Sequence, residues 1–231
     1  MATVDLPGFF LQTEQECEEE ILLKLTGAVA LLLVESDEEK WKKHVVHENG
    51  KCTIFVLCNK AIYGTVNAAL LAYRKLAKLF KSWGLVMNPY DPCVWNKDVN
   101  GEQLTIIFHI DDLLLAHVQA SIITEFIRKL DREYATHDSL TVTRGLAHEY
   151  LGQFLDFSNK GQCAMSQYDF VKKIWLELTV SLKGDYKCTS APENLFKINS
   201  HSSEVSAHRK EQYHKTTAKI LWLSQRTRPD I

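Results

Sequence analysis

Residues 104–118, LTIIFHIDDLLLAHV, set two adjacent aspartates, Asp111 and Asp112, in the middle of an apolar run. Runs rich in Ile, Leu and Phe read as buried strands. Two carboxylates inside such a run cost free energy unless their charge is compensated. A hairpin with the acids at its tip meets both demands: the arms bury, and a divalent cation at the tip can neutralise the pair. Such a hairpin needs further strands to complete a sheet and helices to cover a face of it.

The flanking sequence supplies both. Residues 3–11 hold Asp5 in a short apolar strand that turns at Pro7-Gly8. Residues 14–33 pass from acidic to apolar, with Ile21, Leu22 and Leu25 at helical spacing, and residues 36–43 read as a charged loop or helix end. Asn49-Gly50 marks a turn before a strand over 52–58. Apolar residues at 66, 69, 70, 73, 76, 77, 80 and 83 predict an amphipathic helix ended by Gly84. Its other face, Arg74, Lys75, Lys78 and Lys81, is a solvated face that could also meet nucleic acid. Residues 93–96 pair with 104–110 around Asn100-Gly101. A helix over 121–134 turns Ile123, Phe126, Ile127 and Leu130 inward, and a hairpin surrounds Asn159-Lys160-Gly161. Ser166 with Asp169 reads as a capping box opening a helix to about residue 178. Residues 183–203 are polar and irregular, and a last helix covers 206–226. This order predicts an α+β domain with helices on one face of an antiparallel sheet.

Composition narrows the class. With 45% hydrophobic and 24% charged residues the chain is ordinary and globular. No apolar run reaches the ~20 residues of a membrane span, and the start, MATVDLPGFF, has no signal-peptide pattern. The six cysteines, Cys17, Cys52, Cys58, Cys93, Cys163 and Cys188, lack C-x-x-C spacing, which argues for free thiols rather than a zinc site or a disulfide framework. Charge is uneven. Residues 1–60 carry 6 basic and 11 acidic side chains, 61–169 carry 10 and 12, and 170–231 carry 11 and 6. The basic last third could follow a phosphate backbone, or be no more than an uneven solvated surface.

Two or three acids at strand ends are the minimum protein contribution to two-metal phosphoryl transfer, because Mg²⁺ keeps several waters and takes few carboxylates. Asp5, Asp111 and Asp112 fit that need if the first strand lies beside the hairpin. Asp is also a common turn residue. Other candidates are weaker. His44 and His47, three apart before Glu48, do not form H-E-x-x-H and read as surface residues. His201, His208 and His214 show no metal-ligand spacing. There is no G-x-S-x-G, Walker loop or G-x-G-x-x-G. Trp83, Trp95, Trp175 and Trp222 read as core rather than base-stacking platforms.

Several segments, in order, resemble the reverse transcriptase of Ty1/copia-type retrotransposons. Asp5-Leu6-Pro7-Gly8-Phe9-Phe10-Leu11 looks like the family's first catalytic motif, and residues 61–69, AIYGTVNAA, are similar to its L-Y-G-L-K-Q-A segment. Residues 90–95, YDPCVW, are similar to Y-D-P-C-L-Y, and residues 109–114, HIDDLL, to Y-V-D-D-L. Downstream, Tyr150-Leu151-Gly152 resembles F-L-G, residues 165–168 resemble L-S-Q-x-x-Y, and residues 227–231 match T-R-P-D-I. The resemblance runs over nearly the whole chain.

It implies a polymerase palm, a ferredoxin-like antiparallel sheet with helices on one face, over residues 1–149. A primer-grip hairpin and partial thumb follow over 150–231. Asp5, Asp111 and Asp112 would hold Mg²⁺, with Mn²⁺ as substitute. Phe10 would be a steric gate against a ribose 2′-hydroxyl, Tyr63 and Gly64 would line the nucleotide pocket, and Leu151 and Gly152 would grip the primer. The implied partners are a template-primer duplex of RNA or DNA and a dNTP, without a membrane. The implied setting is a cytoplasmic virus-like particle or the nucleus. Phe9 stands where the family has a small residue, which predicts a crowded sugar pocket, and His109 stands where it has Tyr. Residues 12–60 make a longer connection than in typical relatives. With only four residues before Asp5 and an end at Ile231, the chain reads as a palm-and-thumb fragment of a polyprotein whose fingers, RNase H and integrase lie elsewhere. Such a fragment is expected to expose apolar palm surface and to be poorly soluble alone. Two alternatives stand beside this reading. One is a catalytically dead relic that binds nucleic acid through its basic last third. The other is a ferredoxin-like RNA-binding module, which would need exposed sheet aromatics.

Overall fold

The structure is a computed structural model that describes residues 1–15, 20–136, 138–178, 197 and 200–230. Cys17, Cys188, most of the polar stretch 183–203 and Ile231 lie outside the described residues. The chain divides into two compact units, 1–143 and 144–231.

In the first unit β1 (Ala2–Asp5) leads to a single 3₁₀ turn, Phe10–Gln12. Next come β2 (Leu22–Thr26), α1 (Ala28–Ser36), α2 (Glu38–Trp41), β3 (Val46–Glu48) and β4 (Lys51–Leu57). They are followed by α3 (Ala68–Ser82), β5 (Val86–Met87), β6 (Val94–Val99), β7 (Glu102–His109), β8 (Asp112–Ala116), α4 (Ala120–Tyr134) and β9 (Thr141–Arg144). The main sheet has the order β5-β6-β7-β8-β1-β9, and a smaller one the order β2-β4-β3. From β5 to β1 each pair of neighbours is antiparallel.

Alternation of side chains along each strand decides which face is buried. On β7, Leu104, Ile106 and Phe108 are buried while Thr105 and Ile107 are only partly so. Register carries that face across the sheet, since Ile106 lies opposite Trp95 and Leu115, and Leu113 lies opposite Phe108 and Val4. α3 and α4 cover it. The ring of Phe80 meets those of Trp95, Phe108 and Phe126 at 5.7, 5.8 and 5.8 Å, and tilted or edge-on pairs of this kind add about 0.5–1.5 kcal/mol each beyond area burial. The same alternation puts Asp5, Asp112 and His109 in one row on the opposite face, because Asp112 is the register partner of both others. The α+β class with antiparallel sheets is as expected.

Four local expectations change. Residues 22–26, read at helical spacing, form β2, because Leu22 to Thr26 pair with Leu57 to Thr53 of β4 and Gly27, at φ 62, breaks the chain before α1. The buried stripe of α3 is Ala68, Leu71, Ala72, Leu76, Ala77 and Phe80, while Val66 and Leu70 are exposed. Small alanines let that face approach the core closely, which a pattern led by large apolar positions misses. On the basic face of α3, Lys75 turns inward and donates to the Gln12 carbonyl at 2.6 Å. Trp175 is 62% exposed, whereas Trp95 is fully buried and Trp83 packs against the core.

The second unit holds an antiparallel sheet of β10 (Ala147–Tyr150), β11 (Gln153–Asp156) and β12 (Ala164–Ser166), then α5 (Tyr168–Glu177) and α6 (Ala207–Ser224). Its first strand therefore begins ahead of the boundary expected after residue 149. The Ser166–Asp169 capping box does not form. Ser166 ends β12, and its Oγ accepts from the Tyr168 N–H at 3.2 Å, while the N-cap residue of α5 is Gln167. α6 starts as expected, with Ser206 Oγ accepting from the Arg209 N–H. No helix among the described residues is long and apolar enough to cross a membrane.

Candidate active site

The β7–β8 hairpin turns through two residues, Ile110 and Asp111. Ile110 sits at φ 58, a left-handed conformation in which a β-branched residue is an outlier. Strain of this kind costs about 1–3 kcal/mol and clusters at functional sites. The tip is anchored from β1: the Leu6 N–H donates to the Asp111 carbonyl at 3.0 Å. That bond and the Asp5–Asp112 register bring the acid of the first strand beside the hairpin pair.

The electrostatics follow from the crowding. Burial, and then the negative charge of Asp111, hold the Asp5 carboxyl above its ordinary range. Asp112 is raised by burial and then by Asp111 and Asp5, with His109 pulling the other way. The Tyr63 hydroxyl is raised by burial, Asp111 and Asp5, so the 61–64 turn reaches the same negative region. Like charges facing one another across a sheet are destabilising, and a hard divalent cation relieves such repulsion. The donor set, carboxylate oxygens alone, suits Mg²⁺. Among the described residues no three His, Cys, Asp or Glu side chains gather closely enough to form a metal-holding group. Asp5, Asp111 and Asp112 are each half-buried, and an ion that retains waters needs no closed cage.

The other expected nucleotide-site residues lie close by. The Phe10 ring, 7% exposed, meets the Tyr63 ring edge-on with centroids 4.5 Å apart. Tyr63 is 52% exposed, and Gly64, at φ 90, has open space where a side chain would stand. Phe9 is buried against Phe10 and Tyr134, so much of the bulk expected to crowd the sugar pocket goes into the core. Phe9 and Phe10 line a pocket of about 230 Å³ together with Tyr73, Phe108, His109 and Ile110. Leu151 and Gly152 belong to the second unit. They form the two-residue β10–β11 turn, at φ 51 and 71. The Trp222 ring lies so close to Gly152 that a Cβ there would come within 3.0 Å of it.

Of the residues expected at the site, the structure brings Asp5, Asp111 and Asp112 near one another and sets Phe10 against Tyr63. The sequence shows no sign of Gln12 and Lys75, which hold the Phe10 turn, because a hydrogen bond spanning 63 positions leaves no local pattern. Neither a family model nor a curated protein matches this chain.

Proposed function

We propose that this chain is the palm and partial thumb of an RNA-directed DNA polymerase of the Ty1/copia retrotransposon type. The observation that carries the reading is the Asp5–Asp112 register, which joins the acid of the first strand to the strained Asp-Asp hairpin. Topology supports it as well. With the inserted β2–β4 and β5–β6 set aside, the succession β1–α3–β7–β8–α4–β9 and the sheet order β9-β1-β8-β7 would fit a ferredoxin-like split βαβ unit.

In this reading the primer 3′-hydroxyl attacks the α-phosphorus of a dNTP and pyrophosphate leaves. Asp5, Asp111 and Asp112 would hold Mg²⁺, or Mn²⁺ in its place, which supplies charge neutralisation at the attacking and leaving oxygens. Phe10, backed by Tyr63, closes the space beside the sugar and disfavours a 2′-hydroxyl. The open backbone at Gly64 admits the nucleotide, and the Leu151–Gly152 turn bears on the primer strand. The test is extension of oligo(dT) on poly(rA) with Mg²⁺ and then Mn²⁺, beside Asp111→Asn. Extension that disappears in the variant supports the reading. A folded chain that extends nothing refutes it as an account of this chain's activity.

The basic side chains of α6 favour a second reading: a relic that binds nucleic acid without turnover. α6 supplies Arg209, Lys210, Lys215 and Lys219 beside an exposed Tyr213. Duplex binding that falls with rising salt, and is unchanged by Asp111→Asn, selects this alternative.

A further inference from the structure

The turn that carries Phe10 is held by a polar tie remote from the acids. Gln12 ends that turn. Its Nε2 donates to the Pro7 carbonyl at 2.7 Å and to the Tyr134 carbonyl at 2.7 Å. Its own carbonyl accepts from Lys75 Nζ at 2.6 Å. The Lys75 ammonium also lies 5.1 Å from the centre of the Tyr134 ring. One residue thus joins the start of its own turn, the last residue of α4 and the middle of α3. At the front the same turn is fixed by the Leu6–Asp111 bond. Between these two anchors sits Phe10, its ring edge against Tyr63.

We propose that Gln12 and Lys75 are positioning residues that set sugar selection by holding Phe10 in register with Asp5 and Asp111. The inference rests on the polymerase reading. Neither side chain reaches the acids, so both act through the backbone of the turn. Lys75 is partly buried, which pulls its pKa down. An ammonium kept partly from water needs strong partners, and the carbonyl and the ring supply them. A loosened turn would let the Phe10 ring swing off the site, and displacements of about 1 Å change rates by up to ~100-fold.

The test compares dATP with ATP in primer extension on poly(rU)/oligo(dA), using the parent chain, Lys75→Met, Gln12→Ala and Phe10→Ala. Lys75→Met and Gln12→Ala should each lower the ratio of kcat/KM for dATP over ATP about tenfold, chiefly through a lower KM for ATP, with the values for dATP nearly unchanged. Lys75→Arg, which keeps a charged donor, should restore most of the ratio. In the Phe10→Ala background Lys75→Met should add nothing, since a residue acting through Phe10 has no further effect once that ring is gone. An unchanged ratio in variants that still extend overturns the inference and leaves the polymerase reading standing. If both variants lose cooperative melting, the tie is a requirement of folding and the inference fails. A parent chain that extends neither nucleotide overturns the reading and the inference with it.

Discussion

Asp112 faces a like charge on the neighbouring strand, and its energetics can be read from pH. Its carboxyl, like that of Asp5, has a raised pKa in the folded chain, through burial first and neighbouring carboxylates second. The folded chain therefore binds protons more readily than the unfolded one. Stability from these groups is fully present below the ordinary carboxylate value of 3.8 and is lost as pH rises through the raised folded values. Asp112→Asn should stabilise the chain at pH 7 by about 0.5 kcal/mol, and the gain should vanish in acid below that ordinary value. Urea midpoints across the pH range measure this, and a gain that persists in acid would count against charge repulsion as its cause. The acid pair was legible in the sequence because charge inside an apolar run is conspicuous. The approach of Tyr63 was not, since its turn meets the acids only after α3 and β1 have packed.

Among the elements, the connection between Gln12 and Lys60 is the least orthodox. α1 is apolar nearly all round, which marks a helix to be covered on every side, yet Val29, Leu31 and Leu32 are exposed and only Ala30 is fully buried. β4 behaves differently, with Ile54 at zero exposure. Ile54→Ala should cost about 2–5 kcal/mol, whereas Leu32→Glu should stay within about 0.5 kcal/mol and improve solubility. Chemical melts of the two variants check the contrast, and a large loss from Leu32→Glu would mean that α1 is covered in solution. Hairpin turns were the most legible elements. Asn49-Gly50 and Asn100-Gly101 have positive φ at both positions, the requirement that Asn-Gly satisfies in a type I′ turn. β2 was not legible. Leu22, Leu23 and Leu25 suit a helix as well as a strand, and pairing with β4 decided between them.

For the molecule as a whole, the first unit is organised around Phe80, whose ring touches Trp83, Trp95, Phe108 and Phe126 and so ties α3, α4 and the sheet together. Phe80→Ala should destabilise that unit by about 3–5 kcal/mol and broaden its melting. A loss below about 1 kcal/mol, smaller than any core truncation of this size should show, would mean that the unit is not built on this aromatic cluster. By itself the sequence determined the α+β class, the Asp-Asp hairpin, the helices flanking it and the turns between strands. Each of these rests on local chemistry: periodic apolar positions, turn residues with positive φ, charge placed inside an apolar run. Tertiary structure alone decided that β1 lies beside β8 in the register Asp5–Asp112, that Gln12 and Lys75 secure the turn of Phe10, and that residues 22–26 are a strand. In each case the deciding partner stands tens of residues away, and sequence periodicity carries no record of which distant partner a strand or side chain will meet.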